Sequence, residues 1–392
     1  MQLGGALEWR SLFEGRPVEA ATYHTDVVGP LEPFDERDNL FARIDLQPGT
    51  ESYQTYYAAH PEFEPVDAFL RGMSPLGSTA APADASAMAA LFATPLAIGR
   101  PMPSPPSQGT VASGRAKSRV VFDPVDAARR VKSLARSLGA DLVGIAAVNP
   151  AFVYSHAGRC FYAQDWGEEI GLSHPFAISL GFAMDYDLLR RYAPGFPTML
   201  ESGFAYARAA VAAVQLARYV EGLGYSARAH HLRDYQLLSV PVAIDAGLGE
   251  LGRSGVLITR EFGSSLRLAT VTTDLPLSLD RPVDLGIQQF CNSCKLCVMG
   301  CPAGAIPGGE KIALRGVKRW KLAAGRCYHY WRQASSDCSL CIVACPWSRP
   351  DNITRPLRPT HPQPNLDPAT VAEVRRIRAT LPAWLQRYLD KP

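Results

Sequence analysis

Cys291-Asn-Ser-Cys294-Lys-Leu-Cys297-Val-Met-Gly-Cys301-Pro302 is the stretch whose reading decides the fold. Its spacing, C-x2-C-x2-C-x3-C-P, lets three thiolates of a tight loop cap three corners of one iron–sulfur cube while the fourth points away to a second cube. A second run, Cys338-Ser-Leu-Cys341-Ile-Val-Ala-Cys345-Pro346, is one ligand short, and Cys327 upstream is the replacement. The sorting expected is Cys291, Cys294, Cys297 and Cys345 on one four-iron four-sulfur cluster, and Cys301, Cys327, Cys338 and Cys341 on the other. A pair of structural zinc sites is the competing reading, but zinc ribbons use two-plus-two pairs rather than a three-plus-one run closed by proline. Such clusters pass electrons singly, so two of them beside a larger domain imply a relay feeding a redox site there.

Outward from the cysteines, the 392 residues have ordinary globular composition, 47% hydrophobic and 20% charged, with length enough for two or three domains. A net charge of +3 does not argue for a nucleic-acid partner. Eight of the nine cysteines fall between Cys291 and Cys345, which reads as metal ligation rather than a disulfide scaffold. Cys160 stands alone and is expected to be a free, buried thiol. No run of 18 or more apolar residues exists, so no transmembrane helix is expected. The first residues show no leader pattern, and the chain as written is expected to be cytoplasmic, or exported and membrane-associated if a twin-arginine leader has been removed.

Four regions are expected. Residues 1–118 read as an N-terminal arm and linker: 1–75 lack sustained periodicity, and 74–118 are rich in Ala, Pro, Ser and Gly. Residues 119–285 alternate helix and strand patterns, giving an α/β or α+β core. Asp123-Pro124 opens a capped amphipathic helix ending at Gly139, and residues 199–221 form a long helix stopped by Gly222 and Gly224. DLVGIAAV, PFAISLGFAM, SVPVAIDA, SGVLIT and LRLATVTT read as strands. Residues 286–350 have too few periodic apolar residues to fold alone and are organised around the cysteines; 351–392 form a tail.

Gly247-Leu248-Gly249-Glu250-Leu251-Gly252 is a formal GxGxxG, but Gly255 and the strand-like VLIT follow where a dinucleotide site needs a helix to start. Its glycines let backbone approach a bulky ligand closely, so Gly247, Leu248, Gly249, Gly252 and the adjoining Arg253 are candidate cofactor contacts.

The segments IDAGLGELGRSGVLITREFGSSLRLATVTTDLPL, DLGIQQFCNSCKLCVMGCPAGAIP and VKRWKLAAGRCYHYWRQASSDCSLCIVACPW together resemble the corrinoid-dependent reductive dehalogenase family (catalytic subunit). DPVDAARRVKSLARSLGADLVGIAAVNPAFVYSHAGR, HPFAISLGFAMDYD and the N-terminal PFDERDNLFAR extend the resemblance from about residue 23 to 350. It implies a nitroreductase-like α/β (α+β) core binding base-off cobalamin, joined to a bacterial-ferredoxin-like domain holding two 4Fe-4S clusters. The activity implied is reductive cleavage of a carbon–halogen bond in a small-molecule organohalide. The absence of an Asp-x-His-x-x-Gly motif is compatible with base-off binding.

Counting back from Leu223-Gly224-Tyr225, the resemblance places the proton donor at Tyr206; the partner arginine after the Glu-Phe-Gly turn is Arg267. A phenol is a poor acid at neutral pH, and a nearby guanidinium stabilises the phenolate. The chain departs from the family at HHLRDYQLLSVP, where many members carry Gly-Asn-Asp; Asp234 falls nearest that asparagine, with His231 and Arg233 beside it, so the pocket is expected to differ.

Neither a leader nor a fused reductase module is seen, so a separate electron donor (ferredoxin, flavodoxin or a membrane anchor subunit) is implied. The basic segment Lys311, Arg315, Lys318, Arg319, Lys321, Arg326 is either its docking surface or a solvated helix face. Pocket aromatics such as Phe152, Tyr154, Trp166 or Phe204 would suit a flat, apolar organohalide. Two other functions compete. Epoxyqueuosine reductase shares the cysteine pattern but calls for helical repeats after the clusters and a basic stripe for tRNA. A non-catalytic electron carrier has no use for 285 residues ahead of its clusters.

Overall fold

A computed structural model describes residues 15–98, 116, 118–159 and 166–348 of the chain. Cys160, the proline-rich stretch 101–110 and the tail 351–392 lie outside the described residues.

Four helices precede the core: α1 (Leu40–Asp45), α2 (Glu51–Ala59), α3 (Glu64–Gly72) and α4 (Pro82–Ile98). The core then runs α5 (Pro124–Ser137), β1 (Leu142–Ala147), β2 (Phe176–Ala183), α6 (Tyr186–Tyr192), α7 (Phe196–Gly222), β3 (Ala227–His230), α8 (Ser239–Asp245) and β4 (Leu266–Thr273). The cysteine region carries α9 (Ile287–Cys294), α10 (Leu296–Met299), the hairpin β5 (Ile312–Leu314) and β6 (Val317–Arg319), α11 (Ala324–Ala334) and α12 (Leu340–Ala344).

The sheet has the order β1-β2-β4-β3, and every neighbouring pair is antiparallel. An antiparallel sheet with helices packed on it is the α+β arrangement. Its apolar interior joins Ala128 and Val131 of α5, Ile178 and Leu180 of β2, and Leu216 and Val220 of α7. The Asp123 side chain accepts from the amides of Val125 and Asp126, with Pro124 at the first helical position, as the sequence led one to expect for α5. Gly224 ends α7 at φ +89°, where a Cβ would lie 2.5 Å from the Ser118 carbonyl oxygen.

Three elements differ from expectation. SVPVAIDA is the short helix α8, not a strand. Val240, Val242 and Ile244 alternate like a strand, but Pro241 falls in the first helical turn, where its missing N–H leaves no bond unmade. SGVLIT contributes only Leu257–Ile258, paired with Glu250–Leu251. Residues 82–98, read as linker, form α4, because Ala, Met and Leu are strong helix formers and Pro82 is tolerated at the start. This helix packs on α7, with Leu91 and Phe92 directly over Gly203.

The cysteine region does not stand apart. Ile258 of the core shares one apolar cluster with Ile287, Trp320 and Trp347. The N-terminal helices close the other side: Leu40, Val66 and Leu70 pack with Tyr328 of α11. No described helix is long and apolar enough to cross a membrane.

At Gly249 a Cβ would sit 2.1 Å from the carbonyl oxygen of Ile258. Gly249→Ala is therefore expected to cost about 1–3 kcal/mol through backbone displacement, read as a lowered thermal unfolding midpoint of the cluster-loaded protein.

Candidate dicluster centre and adjoining cavity

Eight cysteines, none in a disulfide, converge between α9 and α12. Burial pushes the thiols of Cys297, Cys327, Cys341 and Cys345 up to about 12, and Cys338 well above its ordinary value. The fields they exert on one another run within and across the two expected quartets, Cys297 feeling Cys341 before Cys291 and Cys294. Cys345 is influenced by Cys291, Cys297 and Cys294, whereas Cys327 and Cys338 are both influenced by Cys301. Cys341 feels Cys327 and Cys301 first and Cys345 after them, so the two quartets adjoin. Backbone N–H groups of Ala305 and Trp347 donate to the sulfurs of Cys301 and Cys345, as amides commonly do around such clusters. Among the described residues, no group of His, Cys, Asp or Glu is arranged for a single metal ion. A four-iron cube spaces its thiolates more widely than one ion does.

Arg253 ties this centre to the core. Its Nε donates to the Cys291 carbonyl at 2.8 Å, and one terminal nitrogen donates to the carbonyls of Pro307 and Gly309 at 2.9 and 2.8 Å. The guanidinium also lies 4.4 Å from the Trp320 ring centroid. The glycines before it serve close packing of protein on protein: a Cβ at Gly247 would meet the Arg281 carbonyl oxygen at 2.4 Å, and one at Gly252 the Ile258 side chain at 2.6 Å. Leu248 is buried beside Ala243 and Leu257. Of the residues proposed as cofactor contacts, none lines the cavity described below; Leu251 and Gly255 of the same segment do.

Tyr206 of α7 and Arg267 of β4 come together, the guanidinium carbon 5.1 Å from the ring centroid. Arg267 is itself held. Its Nη2 donates to Ser202 Oγ at 2.8 Å and lies 3.7 Å from the Asp337 carboxylate. Asp337 is buried, accepts from Thr198 at 2.9 Å and from Ser202, and immediately precedes Cys338. Ser202 is one helical turn before Tyr206, so one face of α7 presents both. Sequence reading passed over Thr198, Ser202 and Asp337; the i, i+4 spacing to Tyr206 and the adjacency to Cys338 were the signals available.

Asp234 is placed elsewhere. It sits at the base of a tight turn with Arg233 at φ +65°, and pairs with Arg228 at 2.7 Å. It forms no hydrogen bond or ion pair with Tyr206 or Arg267 among the described residues. Its charge acts instead on Glu36, whose carboxyl burial raises to about 7. Tyr235, missed in the sequence, is pushed up to about 12 by burial and feels the Tyr206 phenol.

A cavity of about 410 Å³ opens between the N-terminal segment, the core and the β5–β6 hairpin. Phe34, Phe152, Tyr154 and Tyr235 give one wall; Val317, Lys318, Arg319 and Trp320 give another. The basic segment is thus a hairpin turning at Arg315-Gly316, both at positive φ, rather than a helix face. Only Arg326 lies on a helix, donating to the Gly304 carbonyl. Trp166 packs with Leu46, Tyr56 and Tyr57, and Phe204 is half exposed, so neither joins Phe152 and Tyr154 at the cavity.

An α+β core carrying two cysteine quartets defines a dicluster iron–sulfur protein, and residues 290–348 match the 4Fe-4S dicluster domain family. Tetrachloroethene reductive dehalogenase of Desulfitobacterium hafniense is 32% identical over 269 positions, covering 57% of this chain and 48% of the relative. The protein of the same name from Sulfurospirillum multivorans is 31% identical, covering 58% and 51%. A catabolic reductive dehalogenase of known structure superposes with a TM-score of 0.66 at 23% identity, covering 96% of this chain and 50% of that one. The chain is thus similar in sequence and fold to reductive dehalogenases, and spans about half the length of the curated relatives it matches.

Replacing Cys345 or Cys327 with serine is expected to remove about half the iron from the anaerobically purified protein, each from a different cluster. Iron analysis and electron paramagnetic resonance of the two variants and their double mutant check this; identical spectra in the two single variants would contradict the sorting.

Proposed function

We propose that this chain is the catalytic core of an enzyme that removes halide from an organohalide, using cobalamin and two 4Fe-4S clusters, with Tyr206 as proton donor. The observation that carries the reading is the Tyr206–Arg267 pair anchored to the residue next to a cluster ligand. The lining of the cavity suits the edge of a large, amide-bordered cofactor: its aromatic wall offers flat contact, and the hairpin wall holds the buried donors Arg319 Nε and Trp320 Nε1, which have no partner among the described residues. When bound, the corrinoid supplies a low-valent cobalt that delivers electrons to the carbon–halogen bond.

The chain's own residues do the rest. The eight cysteines hold a relay from an external donor, a ferredoxin, flavodoxin or anchor subunit, toward the cavity. Tyr206 gives its hydroxyl proton to the carbon that loses halide, so that two electrons and one proton replace halogen by hydrogen. Arg267, over the ring face, stabilises the phenolate left behind. Ser202 and Asp337 keep the guanidinium there.

The tRNA-modifying alternative has weaker support. Epoxyqueuosine reductase of Escherichia coli is 30% identical over 146 positions, 32% of this chain, and the helical repeats it calls for would fall outside the described residues.

After anaerobic reconstitution with cobalamin and iron–sulfide, halide release from a halophenol and from a chloroethene tests the reading. Tyr206→Phe is expected to lower turnover at least about a hundredfold with an unchanged cobalt spectrum. Full activity in that variant would remove Tyr206 from the mechanism.

A further inference from the structure

The β5–β6 hairpin concentrates positive charge on one wall of the cavity in a way that protein carboxylates only partly answer. Lys311 is paired with Asp26, and Arg315 reaches Asp38 at 3.6 Å and the Pro33 carbonyl at 2.8 Å. Lys318 and Arg319, which line the same wall, have no ion pair or side-chain hydrogen bond among the described residues. Glu32 is the remaining carboxylate at the cavity, and it forms no ion pair with either. Burial and the Arg315 charge both act against the charged form of Arg319. Lys321 is disfavoured in the same sense by burial and then by Arg319, Arg315 and Arg43.

Beside Arg319, Trp320 is 2% exposed and its Nε1 has no acceptor among the described residues. The Trp320 ring also carries the Arg253 guanidinium at 4.4 Å and the Lys311 ammonium at 4.8 Å. Half-buried like charges and a buried unpaired donor are costly in a folded protein unless an anion completes them. A guanidinium with free N–H groups suits a phosphate oxygen particularly well.

We infer that Arg319, with Lys318 and the Trp320 indole, binds a phosphodiester at the hairpin wall of the cavity. The inference rests on the cobalamin reading above and deepens it. Cobalamin's corrin periphery is made of neutral amides, and its one anionic group there is the phosphodiester of the nucleotide tail. The hairpin wall therefore recognises the tail, while the aromatic wall faces the ring. The predicted consequence is selectivity: a corrinoid that lacks the nucleotide leaves these donors unanswered.

The test compares cobalamin with cobinamide, which has the same ring without the nucleotide phosphate. Each is titrated anaerobically into the cluster-loaded full chain, and binding is followed by cobalt absorbance and by cobalt retained after desalting. The native chain is expected to bind cobalamin at least about tenfold more tightly than cobinamide. Arg319→Gln is expected to weaken cobalamin about tenfold and leave cobinamide unchanged, with Lys318→Gln a smaller loss of the same kind. Arg319→Lys, which keeps the charge, should recover part of the selectivity, and iron content verifies that each variant is folded. Equal binding of the two corrinoids by the native chain, or unaltered selectivity in a folded Arg319→Gln variant, overturns the phosphate site alone. Binding of neither corrinoid overturns the cofactor reading and this inference together.

Discussion

Asp337 is a carboxylate taken almost wholly out of water, and the arrangement of the candidate active site follows from the need to satisfy it. An unpaired buried carboxylate is expensive. This one recruits the hydroxyls of Thr198 and Ser202 from α7 and the guanidinium of Arg267 from β4. Those three partners fix the helix, the strand and the second cysteine run relative to each other at one point. Tyr206 follows automatically, one turn beyond Ser202 on the same face, with the cation over its ring. The geometry thus couples the group that would deliver a proton to the loop that would deliver electrons, without any direct contact between Tyr206 and a cysteine.

Arg253 performs a comparable task on the opposite side. A single planar fork holds three carbonyl oxygens, including that of Cys291, while its face rests on Trp320. A lysine could not satisfy three acceptors and stack on an indole from the same position. The glycine run that precedes Arg253 brings the chain close enough for this to happen. The first quartet is thereby referenced to the core's backbone, and the cavity wall formed by Trp320 is referenced to the first quartet.

How much of this was legible beforehand depends on the range of the interactions involved. Cysteine spacing is local chemistry, so the dicluster region was readable from ligand positions. The helices α5 and α7 and the strands β1, β2 and β4 were equally readable, because cap residues, glycine stops and long apolar runs all agree there. Strand β3 was not, being four residues long with Arg228 and His230 in it. Helix α8 looked like a strand because alternation of β-branched residues over so short a span fits both periods. The resemblance pointed to Tyr206 and Arg267, but Ser202, Asp337, Tyr235 and the cavity's hairpin wall depend on contacts between residues far apart in sequence, which no periodicity encodes. Asp234 illustrates the same limit: its place in a motif was legible, while its commitment to Arg228 was not.

The N-terminal segment bonds to the last described part of the chain. Gly77 N–H donates to the Ser335 carbonyl at 2.7 Å, the Ser78 and Ser335 hydroxyls lie 3.0 Å apart, and Arg332 donates to the Ser74 carbonyl at 2.8 Å. Ser335 follows α11, the helix that carries Cys327. A ribosome delivers residues 74–78 long before residues 332–335, so the leading segment emerges without the surface it is built to cover. These contacts therefore close only once residues 332–335, between Cys327 and Cys338 in the chain, have been made. The leading segment and the cysteine region are in this sense one folding unit, since Leu40, Val66 and Leu70 find their cover on Tyr328 only after most of the chain has been made.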